Sequence, residues 1–308
     1  MDDLRGLPST EPATEPATQP SAPPSAPPSV LPAEPLTVAA GQAACVALDV
    51  AANAATAAGL VRRAADRGGQ LLVLPELFLT GYELPGIAAD PAAHALGPAD
   101  SRLDVLAAAC AETGTAVVAG APTRDADTGE LRISVLVLGR DGHFAARYDK
   151  QHVTPNERAA GFGPGARGCT LSFDGWRLGL GICWDSGYPE HARAAALDGA
   201  HAYLVGAMFG RGSGERQLAT VFPARAMDNT GYVLLANHCG PSGPYDGCGR
   251  SAVWNPDGTL LADAGTATPG LAVARLDPAA LARARAEEPV LIDPSLSAPV
   301  LPRVSAGI

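Results

Sequence analysis

Segments that read as strands alternate with segments that read as helices through most of this chain, and that alternation narrows the fold class more than any other feature. Residues 36–48 read as a buried strand, followed by an Ala-rich helix over 53–67 that ends at Gly68-Gly69. The helix sets Leu60, Val61 and Ala64 towards a core, with Arg63, Asp66 and Arg67 mostly towards water. A short apolar strand at 70–74, a helix at 101–113 and a strand at 115–121 come next. A hairpin of 131–138 and 143–148 turns at Arg140-Asp141-Gly142. Beyond a Gly/Pro-rich loop at 151–168 lie strands at 169–173 and 177–182, a helix at 190–198, a strand at 202–205 and a helix at 215–229. Strands at 232–237, 251–254, 259–262 and 271–275 close the pattern, with a turn at Asn255-Pro256-Asp257-Gly258. Strands interleaved with helices and hairpins imply an α/β domain with a mixed sheet covered on its faces.

The ends read differently. Residues 8–35 carry ten of the 28 prolines amid Ala, Ser, Thr and Glu. Such a segment buries too little apolar surface to offset its ordering entropy, so 1–35 is expected to be a disordered tail. The domain is expected over 36–286, with 287–308 as an extension that could serve an oligomer interface. A chain of 308 residues with 47% hydrophobic residues can bury a full core without metal or disulfide staples. Net charge is −10, with no basic run, which argues against nucleic-acid or anionic-membrane partners. There is no run of eighteen apolar residues and no apolar stretch behind Met1-Asp2-Asp3, so a cytoplasmic protein without a signal peptide is expected. The six cysteines form no CxxC pair, and the one close pair, Cys239 and Cys248, is expected to stay reduced.

Lysine usage is skewed. Of 22 basic residues, only Lys150 is lysine. Since arginine supplies the surface charge, a single compact ammonium points to a confined site that must stabilise a developing charge. Lys150 follows the strand at 143–148, Glu76 closes the strand at 70–74 through Pro75, and Cys183 ends the strand at 177–182. The carboxyl ends of strands are where α/β sheets gather ligands. Cys183 also precedes a helix start, where peptide dipoles and a nearby ammonium are expected to favour the thiolate. Carboxylate, ammonium and thiol together make a nucleophilic apparatus.

Three segments then carry a resemblance. Leu74-Pro75-Glu76-Leu77-Phe78-Leu79-Thr80-Gly81-Tyr82, Tyr148-Asp149-Lys150-Gln151-His152 and Gly181-Ile182-Cys183-Trp184-Asp185 resemble, in order and rough spacing, the signature segments of the nitrilase superfamily, the carbon–nitrogen hydrolases. Tyr188-Pro189-Glu190, Asp228-Asn229-Thr230 and Gly249-Arg250-Ser251 fit as well. The resemblance covers about 36–277. It implies a four-layer αββα sandwich and a Glu76-Lys150-Cys183 triad. Glu157 matches a second glutamate near the lysine, and the Trp184 backbone N–H is an expected oxyanion donor. Tyr82, Trp184, Tyr188 and Phe209 are candidate pocket residues. The resemblance further implies a homodimer or higher oligomer, with a contact expected through Ala192 and Ala194, Ala195 and Ala196 of the helix after Cys183.

The activity implied is hydrolysis of a small amide through a cysteine thioester, without metal or cofactor. A carbamoyl (ureido) hydrolase or a nitrilase would use the same triad, and a catalytically silent binding subunit is the non-enzyme alternative. Gly163-Pro164-Gly165-Ala166-Arg167-Gly168 satisfies GxGxxG but leads into a strand, so it does not read as a dinucleotide site. The histidines show no metal-ligand spacing beside carboxylates. His191 could form a Cys-His dyad, but its helix position reads as surface or interface.

Overall fold

The computed structural model describes residues 30–266 and 268–292. The tail reading for 1–29 and most of the 287–308 extension therefore lie outside the described residues. The first half of the chain runs β1 (Leu36–Gln42), α1 (Val50–Ala65), β2 (Leu71–Val73), α2 (Leu84–Ala89), α3 (Pro91–His94), α4 (Asp104–Thr113), β3 (Ala116–Arg124), β4 (Leu131–Leu138) and β5 (Phe144–Asp149). Then come α5 (Pro155–Ala159), β6 (Thr170–Phe173), β7 (Trp176–Ile182), α6 (Pro189–Leu197), β8 (Ala202–Ala207) and α7 (Ser213–Asn229). The last part holds β9 (Tyr232–Asn237), β10 (Cys239–Ser242), β11 (Tyr245–Cys248), β12 (Ala252–Trp254), β13 (Leu260–Asp263), β14 (Gly270–Leu276) and α8 (Pro278–Glu287).

Two six-stranded sheets result, ordered β14-β1-β2-β3-β4-β5 and β13-β12-β9-β8-β7-β6, with β10 and β11 forming a separate two-stranded hairpin. Each sheet is mixed. β1, β2 and β3 are parallel in the first, and β7, β8 and β9 in the second. The period-2 alternation of strand side chains assigns each face. Val38, Ala40, Leu71, Val73, Leu204, Leu234 and Ala236 join one core between the sheets. Their neighbours Ala39, Leu72 and Val117 face outward onto α1 and α4, in a core with Ala57, Val61 and Leu106. On the far side Tyr203, Val205, Val233 and Leu235 pack on Leu218, Phe222 and Ala226 of α7. Strands buried on both faces explain the unbroken apolar runs, and the layers stack as α, β, β, α.

Several boundaries moved for identifiable reasons. α1 starts at Val50 because the Asp49 side chain accepts from Ala52 N–H at 2.9 Å and caps it. The loop expected over 151–168 contains α5, started by Thr154 and Glu157 as a capping box. α2, α3, α8 and the β10–β11 hairpin carried no strong local periodicity and were not anticipated. Cys239 and Cys248 face each other across that hairpin, both as free thiols. The Cys239 thiol donates to Thr266 O, whereas the Cys248 sulfur accepts from Asn237 Nδ2. Among the described residues, no helix is long and apolar enough to cross a membrane.

Candidate active site

Glu76, Lys150 and Cys183 come from three strand ends and two sheets. Leu74 N–H donates to Val118 O, so the β2 ladder runs on to the Pro75-Glu76 turn. That turn is threaded between β3 and β8 where both lack side chains. A Cβ on Gly120 would stand 2.1 Å from Pro75 O, and one on Gly206 would stand 2.6 Å from Leu74 O. Lys150 N–H donates to Ile133 O at 2.8 Å, extending the β4–β5 ladder by one residue. Cys183 leaves β7 directly into a single 3-10 turn, Cys183–Gly187, in the left-handed region at φ 43°. A non-glycine residue held there is strained, a feature concentrated at functional sites.

The lone lysine is fully buried between two carboxylates. Lys150 Nζ donates to Glu76 Oε1 and to Glu157 Oε1, both at 2.6 Å, and all three side chains are completely shielded from solvent. Glu157 Oε1 also accepts the Tyr82 hydroxyl at 2.5 Å, and its Oε2 accepts Thr154 N–H at 2.7 Å. Glu157 is thus saturated, whereas Glu76 Oε2 is buried with no hydrogen-bond partner among the described residues. Burial raises the Glu76 carboxyl to about 7 and Glu157 adds to the rise, while Lys150 and the Cys183 thiol pull against it. Burial works against the Lys150 ammonium, but Glu76, Cys183 and Glu157 outweigh it and raise its pKa.

Cys183 departs from expectation. Its pKa is raised well above 9.0, chiefly by burial and then by the Glu76 charge, against which Lys150 is too weak. The expected depressed thiol is therefore overturned. The five-residue 3-10 turn adds too little dipole, and the ammonium already serves two carboxylates. Cys183 therefore rests as a thiol beside Glu76, the carboxylate whose charge acts on it most strongly.

A second network ties the lysine strand to the cysteine turn. Asp185 Oδ1 accepts from His152 N–H and Nδ1 at 2.8 and 2.9 Å, and Oδ2 accepts from Tyr148 Oη at 2.7 Å and Ile182 N–H at 3.0 Å. Burial alone would raise the Asp185 carboxyl, but the hydrogen bonds and His191 hold it below its usual value. His191 is not at the surface, contrary to the helix-position reading. It is buried with Nε2 at 2.8 Å from Tyr148 Oη and Nδ1 at 2.9 Å from Tyr203 Oη. Both nitrogens are occupied there, which leaves none for a Cys-His dyad. His152, Asp185 and His191 bring ligand-type atoms within 4.8 Å of one another, a cluster their sequence spacing concealed. Each of those atoms already has a protein hydrogen-bond partner, so the cluster satisfies itself.

The candidate pocket residues divide. Trp184 packs edge-on against Tyr188, whose ring stacks on His152 with centroids 3.9 Å apart. Tyr82 is held by Glu157 and meets Tyr245 edge-on at 5.6 Å. Phe209 is buried against Phe222 in the outer core. The β10–β11 hairpin bridges two segments of the site: Ser242 Oγ accepts Tyr82 N–H at 2.7 Å, and Cys248 N–H donates to Phe209 O at 3.0 Å. Sequence reasoning missed this hairpin, Asp185 as a connector and His238. Only Asp185 lay inside a recognised segment. The expected helix contact also changes, because Ala192 and Ala196 are buried inward, leaving Ala194 exposed and Ala195 half-buried.

The carbon-nitrogen hydrolase family matches residues 37–286. The chain belongs to this family, within the nitrilase superfamily. A hydrolase from Pseudomonas protegens, named for the pqqF 5′ region, is 35% identical over 230 residues, covering 71% of this chain and 75% of its own. An (R)-stereoselective amidase from Pseudomonas sp is 34% identical over 200 residues, covering 63% and 69%. The crystal structure of an amidase from Nesterenkonia sp. superposes with TM-score 0.70 at 32% identity, covering 82% of this chain and 94% of that one. A mutant of the Nesterenkonia amidase is known in complex with butyramide, at TM-score 0.71 and 32% identity over 82% of this chain and 95% of that one. This hydrolase is therefore an amidase-like carbon–nitrogen hydrolase with an active-site cysteine, built on the α/β layers described above.

Proposed function

We propose that the chain hydrolyses a small amide through a Cys183 thioester. The observation that carries this reading is the burial of Lys150, the single lysine, between Glu76 and Glu157 at 2.6 Å from each, with both Lys150 and Glu76 acting electrostatically on the Cys183 thiol. Glu76 takes the Cys183 proton as the sulfur attacks the amide carbon. Lys150 and the Trp184 N–H, which lies in the first turn of its 3-10 segment without an intrahelical acceptor, stabilise the oxyanion. Glu76 passes its proton to the departing nitrogen, and ammonia leaves. It then removes a proton from water, which attacks the thioester; the acid is released and the thiol is restored. Glu157, saturated by Tyr82 and Thr154, holds Lys150 in place. A short-chain amide is the first substrate to test, in line with the butyramide-bound relative.

Ammonia release separates the readings. Purified protein is expected to release ammonia from butyramide and to form a hydroxamate when hydroxylamine intercepts the thioester. Cys183→Ala and Glu76→Gln are expected to lose at least ~10⁴-fold in turnover while remaining folded. Carbon dioxide appearing with ammonia from N-carbamoyl compounds would identify a carbamoyl hydrolase, and turnover of nitriles alone a nitrilase. Binding without turnover of any of these would leave a silent subunit. We also infer a homo-oligomer, supported by Leu197 and Met227, which are 41% and 58% exposed on α6 and α7; a monomer by light scattering at micromolar concentration would remove it.

A further inference from the structure

Lys150 holds Glu76 through Oε1, and among the described residues Oε2 has no comparable partner, so the placement of the side chain leans on its backbone. The Glu76 carbonyl is held from 162 residues away: His238 Nε2 stands 2.6 Å from Glu76 O. A carbonyl carries no proton, so Nε2 must be the protonated nitrogen. The bare Nδ1 then faces Cys45 Sγ at 3.8 Å, while that thiol reaches Phe78 O at 3.3 Å. The imidazole is 1% exposed and tilted against Phe78, with ring centroids 6.4 Å apart. Its own backbone is fixed on both sides, because His238 N–H donates to Ala207 O and Gly249 N–H donates to His238 O.

The residue after Glu76 explains why this anchor matters. Leu77 is held at φ 50°, in the left-handed region that a leucine avoids. Rotating the Glu76–Leu77 peptide plane would release Leu77 from that region, swing the Glu76 carbonyl away from His238 and change ψ at Glu76, on which the rotamer of its carboxylate depends. We infer that His238 is a positioning residue, whose Nε2–H locks the Glu76–Leu77 peptide in the strained orientation that aims Glu76 at Cys183. Burial lowers the His238 pKa to about 4, so the ring stays neutral with a single donor through the working pH range.

Two measurements test this. The first is the rate at which iodoacetamide alkylates Cys183, followed by peptide mass mapping, which reports proton removal by Glu76 without requiring any substrate. Half-buried Cys169 serves as the internal control. The second is kcat and KM for butyramide, which rests on the amidase reading; a failure of that reading leaves the alkylation measurement intact. His238→Phe, which keeps a ring without the donor, is expected to slow Cys183 alkylation by about tenfold or more, since small misplacements of reacting groups are costly. Cys169 should be unaffected, and kcat should fall in parallel with the alkylation rate while KM stays within about threefold of the parent. His238→Gln, whose side-chain nitrogen sits where Nε2 does, is expected to restore both rates to within about threefold of the parent. Should the Phe variant fail to fold, His238→Asn, one methylene short, replaces it and should be slow where the Gln variant is fast. Near-parental Cys183 alkylation in His238→Phe, or equally slow Gln and Asn variants, would overturn the inference.

Discussion

Asp185 accepts the Tyr148 hydroxyl at 2.7 Å, and through that bond the residue two positions before Lys150 is joined to the residue two positions after Cys183. The same carboxylate receives Ile182 N–H and both His152 donors, so one side chain fastens the strand end from the first sheet to the turn from the second. Asp185→Asn places an amide N–H against donors and breaks the join. Hydrogen bonds to a buried charge contribute about 1.5–3 kcal/mol each, so a drop of that order in unfolding free energy is expected. A fall in kcat should accompany it, measured by chemical denaturation and ammonia release. Unchanged stability would mean that the clamp contributes nothing to the fold.

Lys150→Arg preserves charge and tests geometry. The ammonium has 2.6 Å contacts to two carboxylates in a site with no exposed surface, and a planar guanidinium cannot occupy the same point. Losing one oxyanion donor typically costs ~10²–10³ in rate, so turnover should drop by at least that much. Lys150→Met should instead destabilise the fold by about 3–5 kcal/mol, because Glu76 and Glu157 would then face each other unpaired. Near-native turnover in Lys150→Arg would remove the role assigned to the ammonium.

Glu76 makes both activity and stability depend on pH, in opposite senses. Its folded pKa is raised from 4.5 to about 7. The ionised form accepts the thiol proton, so kcat/KM should rise with pH and level off above about 7. Between 4.5 and about 7 the folded state holds a proton that the unfolded state has lost. The stability contribution of Glu76 is therefore full below pH 4.5 and fades as pH rises through about 7. Denaturation at pH 5 and pH 8 should show less loss of stability in Glu76→Gln than in the parent. An equal loss would assign the pH dependence to other groups.

The N-terminal boundary should prove sharp. Trp176 is fully buried, and its Nε1 donates to Glu34 O at 2.8 Å. Deleting residues 1–29 is expected to leave melting temperature and turnover unchanged. Deleting 1–35 strands the buried indole N–H, and should cost about 1–3 kcal/mol. Equal melting of the two truncations would show that the Glu34 contact carries no stability.

The residues assigned to the proposed triad were legible in the sequence because the signals that single them out are local. Each sits at the end of an apolar run, inside a recognisable segment, and the scarcity of lysine singles out Lys150 independently of any family resemblance. Strands interleaved with helices and hairpins implied a mixed sheet covered on its faces, while the four-layer order was implied only by the family resemblance. Quantities set by what surrounds a residue were not legible. Cys183 looked like an activated thiolate, yet burial and the Glu76 charge raise its pKa, and burial depth leaves no mark on five residues of sequence. His191 and the inward alanines of α6 read as surface because a helix shows its periodicity but not the partner that covers it. Asp185 became a connector and His238 an anchor only when strands 162 residues apart in sequence were brought together. Sequence determined which groups could react, through local composition and pattern. Tertiary packing decided which of them hold protons and which hold the others in place, because desolvation and hydrogen bonding act through space and not along the chain.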